Sequence, residues 1–331
     1  KYIVFTRQPE TDLLTQEMIA GNYDISQLNM RIVNSVVTSQ NPNISAVEWP
    51  DPCPRHLFFN ADVTPLNDPI FRRVISLLID RKKAGNLDNP AAVPFQAPWP
   101  YQGDPDPKLV DPADLTTYDV GVYDPAKAAQ MLDEAGYVLK DGKRVDKDGN
   151  PISLDVMTFD PSIHGAAVNG FAQMLSEEAA KIGLEINTKV VEVGVFFDSG
   201  SNGDFDMMYG WICSTATDPI GSYSFLHSDN YRPIGESTGY GVHLRYQNPE
   251  LDALVEEVQQ GDPASDATAA AYRKLYHIVA MDAPYVPLFY LYQGFPWNNE
   301  YFTGVSNQTE PWYWTYSGFR GMLMYIEQVQ P

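Results

Sequence analysis

An α/β fold, with helices packed on a sheet, is what this sequence of 331 residues predicts. Short apolar or alternating stretches recur between stretches of helical spacing, and glycine stop signals divide them. That alternation is the pattern of strands exchanging with helices. Apolar residues make up 44% of the chain, enough to bury a core. No apolar run reaches the roughly 18 residues that would read as a membrane-spanning helix.

The segment KYIVFTRQ reads as a strand, and ETDLLTQEMIAGNYDIS as an amphipathic helix ending near Gly21, where glycine accepts a left-handed cap. HLFFN is a short buried strand, followed by a turn at PLNDP. One helix is expected over DPIFRRVISLLIDRKKAG, with Asp68 as N-cap and Ile70, Val74, Leu77 and Leu78 as its apolar face. Residues 88–122, rich in Pro, Asp and Gly without periodicity, read as a long ordered surface loop. YDPAKAAQMLDEAGY is a helix capped by Asp124, with Pro125 at its first position and Gly136 at its end. LKDGKRVDKDGNPISLDVMTF reads as a hairpin turning at DKDGN and returning through Ile152, Leu154 and Val156. Asp146, Asp148 and Asn150 resemble part of a calcium loop, but the glycine and distal glutamate are out of register, which favours a plain turn. GFAQMLSEEAAKIGLEINTKVVEV repeats helix then strand. SGSNG at 199–203 reads as a flexible loop, and DFDMMYGW as a strand. Helices at 249–260 and 266–282 precede a last apolar strand, PYVPLFYLYQGF.

The length fits about two domains. With 43 acidic against 22 basic side chains the net charge is −21, which repels nucleic acid and anionic membrane surfaces. Residues 1–20 lack the charged start and apolar centre of a secretory signal, so any export signal is expected to have been removed and the chain to be soluble. Cys53 and Cys213 sit in no CxxC and have no histidine at zinc-ligand spacing, which disfavours a metal. None of His56, His164, His227, His243 and His277 lies in a recognisable protease context, which disfavours a catalytic thiol. A disulfide and a buried free pair both remain open on the residues alone.

GxGxxG, P-loop, HExxH and GxSxG motifs are absent. Carboxylate pairs for glycoside hydrolysis carry no signal among 43 acidic residues. Aromatic residues reach 12% and gather outside clean core periodicity: Trp99 and Tyr101 in PWPY, Trp211 at a strand end, and Trp297, Trp312, Tyr313 and Trp314 near the C-terminus. Aromatic faces on loops stack against the C–H faces of sugar rings, while nearby Asn, Gln and Thr bond hydroxyls. The competing reading is that each tryptophan fills a domain seam, and Trp211 departs from it most clearly.

Three stretches, HLFFNADVTPLNDPIFRRVISLLIDR, YDPAKAAQMLDEAGYVLKDGKRVDKDGNPISLDV and DFDMMYGWICSTATDP, together resemble the extracellular solute-binding proteins of family 5. These are the oligopeptide-, dipeptide- and oligosaccharide-binding receptors of ABC importers. The resemblance runs over nearly the whole chain. It implies the periplasmic-binding-protein-like two-lobe fold (type II, cluster C), with one complete lobe and part of the other present. Residues 1–52 would belong to the first lobe, 53–297 would form the second, and 298–331 would return to complete the first, with crossings near 50–54 and 294–300 where a hinge lets ligand close the cleft. Family members carry roughly 200 further residues at the N-terminus by this likeness, so that portion is expected to be truncated, cleaved or a separate fragment.

The same likeness implies a Cys53–Cys213 disulfide, because oligopeptide-binding members join a cysteine seven residues before the Asn60 position to one just after the Gly-Trp pair. It fits an oxidising, extracytoplasmic location, periplasm or cell surface, with a lipid anchor on an N-terminus not in this chain. Peptide-binding members place an aspartate two residues after the second cysteine to pair the peptide's α-amino group. Thr215 stands there in this chain, while Asp218 matches the acidic residue before the family's proline. A hydroxyl does not neutralise a buried ammonium, so free peptides are disfavoured. The tail WNNEYFTGVSNQTEPWYW is similar to the closing segment of the oligosaccharide-binding subgroup, although that subgroup's Gly-Trp-Pro version is not reproduced after Gly304.

The resemblance therefore implies a monomeric receptor, with no enzyme activity, metal or cofactor, that delivers oligosaccharide to a membrane ABC permease. Trp211, Trp297, Trp312 and Trp314 are expected to stack on sugar, and Thr215, Asn298 and Asn299 to bond hydroxyls, in a cleft between the lobes. A peptide receptor reading backbone is the alternative. A carbohydrate-active hydrolase and a purely structural surface protein stand further off.

Overall fold

The computed structural model describes residues 4, 11–26, 28–29, 37–50, 53–88, 92–95, 108–111, 121–160, 167–212, 219–239, 244–303 and 327–328. The chain divides into two compact units, Lys1–Pro52 with Leu291–Pro331, and Cys53–Tyr290.

The first part of the first unit holds α1 (Thr11–Ile19), the two-residue β1 (Leu28–Asn29), the short α2 (Thr38–Gln40) and β2 (Ile44–Pro50). The helix ends as its sequence dictates: Gly21 lies at φ +77, and the Gly21 and Asn22 N–H groups donate back to Met18 and Glu17 carbonyls.

The second unit runs β3 (Arg55–Phe59), α3 (Pro69–Leu77), α4 (Arg81–Asp88), β4 (Val93–Pro94), α5 (Pro125–Glu134), β5 (Leu139–Lys140), β6 (Lys143–Arg144), β7 (Ser153–Phe159), α6 (Ala167–Lys181), β8 (Glu185–Val191), α7 (Val193–Asn202), β9 (Met207–Trp211), α8 (Ile220–Ser224), α9 (Pro249–Gln260), α10 (Asp266–Asp282) and β10 (Tyr285–Tyr290). The chain then returns to the first unit through β11 (Tyr292–Asn298), β12 (Phe302–Thr303) and β13 (Glu327–Gln328). In the first unit β11 is the middle strand of three, pairing antiparallel with β1 and, along all seven residues, with β2. Met18, Val37 and Ile44 form its buried cluster, packed by Leu14, Ile19, Tyr23 and Ala46.

A six-stranded mixed sheet, in the order β4-β10-β3-β9-β7-β8, is the backbone of the second unit. Strands β9, β7 and β8 are mutually parallel, and β3 runs antiparallel to both β9 and β10. The central strands are buried almost throughout, as expected when both faces are covered, whereas the edge strand β8 is exposed along most of its length. Pro287 has no N–H for the ladder, and the β10–β3 register shifts just after it. Its carbonyl instead accepts from the buried Arg81 Nε at 2.8 Å, while Arg81 Nη2 donates to Ser76 Oγ at 2.8 Å. Burial holds the Arg81 guanidinium down at about 10.

Several expectations are corrected. The single helix over 68–85 is two helices, because Asp80 accepts the Lys83 N–H at 2.9 Å and starts α4 afresh. Its apolar face is Phe71, Val74, Ile75 and Leu78 with Leu77, while Ile70 is exposed. Within the expected surface loop, β4 pairs with β10, and the Lys108 carbonyl accepts from Arg273 Nη1 at 2.6 Å. The hairpin expected over 139–159 is tighter: β5 and β6 turn at Asp141–Gly142, and DKDGN makes a second turn in which Asp146 Oδ1 accepts the Asp148 and Asn150 N–H groups. From there β7 joins the main sheet. SGSN closes helix α7, with Gly203 at φ +77 as its left-handed cap. The last apolar strand is broken in two, because β10 belongs to the second unit's sheet and β11 to the first unit's. Residues 291–297 therefore group with the first unit rather than with 53–290. Of the expected strand at 1–8 only Val4 is described, and it is exposed and in no strand.

Candidate functional site

One edge of the second unit's sheet collects the carboxyl ends of β7, β8, β9 and β10 together with the amino end of β3. The row across that edge reads Val191, Phe159, Trp211, Arg55 and Phe289, fixed by the registers Phe159↔Val191, Arg55↔Trp211 and Phe289↔Arg55. Ligands of open α/β sheets bind outside the carboxyl ends of such strands.

Trp211 ends β9 half-buried and stands in edge-to-face contact with two rings. Phe159 lies 6.2 Å away at 90°, and Phe197 lies 6.2 Å away at 81°. Phe196 closes the group, 4.9 Å from Phe159 and 5.4 Å from Phe197, both edge-on. Helix α7 supplies the adjacent pair in opposite roles: Phe196 is buried and Phe197 is exposed. T-shaped contacts hold an indole in one orientation. The adjacent rings of GVFFDSG, which a helix turns to different faces, are the sequence signal for Phe197.

Across from Trp211, Arg55 Nη1 donates to the Cys53 carbonyl. The next residue, His56, is fully buried, and its Nδ1 lies 2.8 Å from the Pro54 carbonyl. A carbonyl only accepts, so Nδ1 carries the proton and donates. Burial pushes the His56 imidazole down to about 3, against the opposing pull of the Pro54 hydrogen bond. Two consecutive side chains thus fold back on the two preceding carbonyls where the chain enters the second unit. At the end of β10, Tyr290 lies 5.6 Å from Phe95. Neither ring was singled out from the sequence.

Trp297 is half-buried on β11, its backbone paired with Ser45 and Ile25. Asn298 is buried, and its side-chain oxygen accepts the Glu300 N–H at 3.0 Å. Asn299 is exposed and donates to Ser45 Oγ at 2.7 Å. These three lie in the first unit and Trp211 in the second. Thr215, Trp312, Trp314 and Cys213 lie outside the described residues, as do Trp99 and Tyr101. Cys53 is buried and is not a free thiol. Among the described residues no group of three or more His, Cys, Asp or Glu side chains is arranged to hold a metal, and no helix is long and apolar enough to cross a membrane.

Comparison with known proteins places the fold. Over 173 residues the chain is 32% identical to the oligopeptide-binding protein AppA of Bacillus subtilis (strain 168), covering 51% of this chain and 29% of that protein. It is 23% identical over 261 residues to the glutathione-binding protein GsiB of Salmonella typhi, covering 77% of this chain and 45% of that one. The chain thus spans less than half the length of these relatives. Among solved structures, a periplasmic oligopeptide-binding protein of Thermotoga maritima with bound mannohexaose superposes with a TM-score of 0.73 at 20% identity, covering 98% of this chain and 62% of that one. AppA of Bacillus subtilis in complex with a nonapeptide superposes at 0.67 and 23% identity, covering 90% and 56%. The fold is that of the periplasmic binding proteins. Residues 1–232 match the family model of the bacterial extracellular solute-binding proteins, family 5 (middle), so the chain belongs to that family.

Proposed function

We propose that the chain is part of a receptor without enzymatic activity, which works outside the cytoplasm and hands its solute to a membrane ABC permease, and that the solute is an oligosaccharide. One observation carries the sugar reading: Trp211 is half-exposed at the carboxyl edge of the parallel strands and held in T-shaped contact by Phe159 and Phe197. A flat apolar face already fixed in orientation loses little entropy on binding, which favours stacking on a sugar ring. Likeness to a protein with bound mannohexaose supports the same solute class. Thr215, Trp297, Asn298, Asn299, Trp312 and Trp314 keep their proposed contact roles, with Asn298 offering its amide group because its oxygen is committed. A Cys53–Cys213 bridge is part of the proposal, supported by the absence of a free thiol at Cys53.

Capture of oligopeptides is the second reading, favoured by likeness to the oligopeptide-binding protein AppA. A fluorescence and calorimetric titration with mannohexaose, cello- and xylo-oligosaccharides and a peptide panel separates the two. The expected result is saturable binding of an intact oligosaccharide, weakened about 10- to 100-fold in Trp211→Ala on the scale of one lost stacking contact. Binding of peptides alone refutes the sugar reading, and cleavage of the sugar refutes the receptor reading.

A further inference from the structure

The His56 ring sits in a box of Phe58, stacked at 6.1 Å, Phe95 at 6.3 Å and Tyr285, edge-on at 5.0 Å. Its Nδ1–H is spent on the Pro54 carbonyl, which leaves Nε2 as an acceptor. Nε2 is buried with no hydrogen-bond partner among the described residues, and the Tyr285 hydroxyl is in the same condition. Tyr285 is 2% exposed and His56 0%. An acceptor and a donor, each expensive to bury unpaired, thus stand on two rings in edge-on contact. Water is the smallest molecule that donates to one and accepts from the other.

We propose that His56 positions the strand entering the second unit as a fixed Nδ1–H tautomer, and that its Nε2 and the Tyr285 hydroxyl share one buried water molecule. The water donates to Nε2 and accepts from the phenol, so the tautomer is set from both sides. His56 then holds the Pro54 carbonyl beside Arg55, the cross-strand partner of Trp211. The link to ligand rests on the proposed role of Trp211; the water site does not.

Long-range proton–nitrogen NMR on histidine-labelled protein tests the tautomer. His56 is expected neutral with the proton on Nδ1 from pH 5 to 8, and a proton on Nε2 overturns the proposal. Tyr285→Phe tests the bridge, with an expected fall in the folding equilibrium constant of about 5- to 30-fold, the size of a lost buried hydrogen bond. An unchanged or raised constant overturns it, because deleting an unpaired hydroxyl costs nothing. Oxygen-17 relaxation dispersion is expected to count one long-residence water fewer in Tyr285→Phe, and an equal count overturns the shared water. His56→Asn keeps a donor at the Nδ1 position and His56→Gln does not. The Asn variant is expected to retain the ligand response and to make Tyr285→Phe nearly free. Equal loss of the response in both variants overturns the positioning role, whereas a wild-type protein that binds no oligosaccharide refutes the Trp211 reading and leaves the water tests standing.

Discussion

Gly210→Ala is expected to destabilise the second unit by overpacking beside the candidate site. Gly210 lies in β9 opposite His56, and a Cβ built there falls 2.5 Å from Phe58 Cε2 and 2.9 Å from its Cδ2. Phe58 cannot yield easily: it is 3% exposed, stacked on His56 and touched by Phe225 at 6.3 Å. Forcing a methyl group into such a core costs about 1–3 kcal/mol. Spread over a unit of about 240 residues, with an unfolding entropy of about 2.1 cal/mol/K per residue, a cost near 2 kcal/mol lowers Tm by about 4 °C. Urea melts followed by circular dichroism and calorimetry measure both quantities. Phe58→Leu alone is expected to destabilise by about 1 kcal/mol or more, but to relieve the clash, so the double variant costs less than the two singles combined. Full stability in Gly210→Ala, or strict additivity with Phe58→Leu, refutes the packing argument.

Stability is expected to fall on mild acidification. The folded His56 value of about 3 lies below its ordinary 6.5, so between those values the unfolded chain binds a proton that the folded chain refuses; the contribution is complete above pH 6.5 and is lost as pH falls toward 3. From pH 7 to 5 the loss is about 2 kcal/mol, and a His56→Gln variant without this slope is the expected control in urea melts at each pH. Asp124→Ala is expected to cost about 1 kcal/mol, because Asp124 caps α5 by accepting the Lys127 N–H at 2.9 Å; thermal melts check it. Lys143→Met, by contrast, is expected to change stability by less than about 0.5 kcal/mol in the same melts, since its 2.8 Å pair with Glu185 is exposed on both sides. Maleimide labelling of the denatured, unreduced protein is expected to find no thiol, and two labels refute the proposed bridge.

Much of the fold was legible because its signals are local. Asp68, Asp124, Asn248 and Ser265 each cap a helix through side-chain acceptance, and Gly21, Gly136 and Gly203 take the left-handed φ that ends one. What was not legible depends on partners distant in sequence. The split of PYVPLFYLYQGF is decided by β3 on one side and β2 on the other, and hydropathy alone does not distinguish one buried strand from two. The site divides in the same way. Trp211 stood out by its place at a strand end, whereas Arg55 and Phe159 join it only through the arrangement of the strands, and Phe197 only through the packing of helix α7. The engagement of Asn298 with the Glu300 N–H and of Asn299 with Ser45 on β2 is likewise a matter of the fold and not of composition.

The second unit begins and ends on neighbouring strands, Arg55 beside Phe289, and the first unit pairs Pro50 with Tyr292. For the first unit, β2 and β11 are thus the two arms of a hairpin whose loop is an entire folded domain. Left as a random chain, that loop of about 240 residues would cost about 5 kcal/mol in closure entropy alone. Once β3 and β10 have paired, the closure has already been made, and β2 meets β11 as if across a short turn. The pairing of β2 with β11 thus depends on the inserted domain keeping β3 and β10 together, although that domain contributes no strand to the three-stranded sheet.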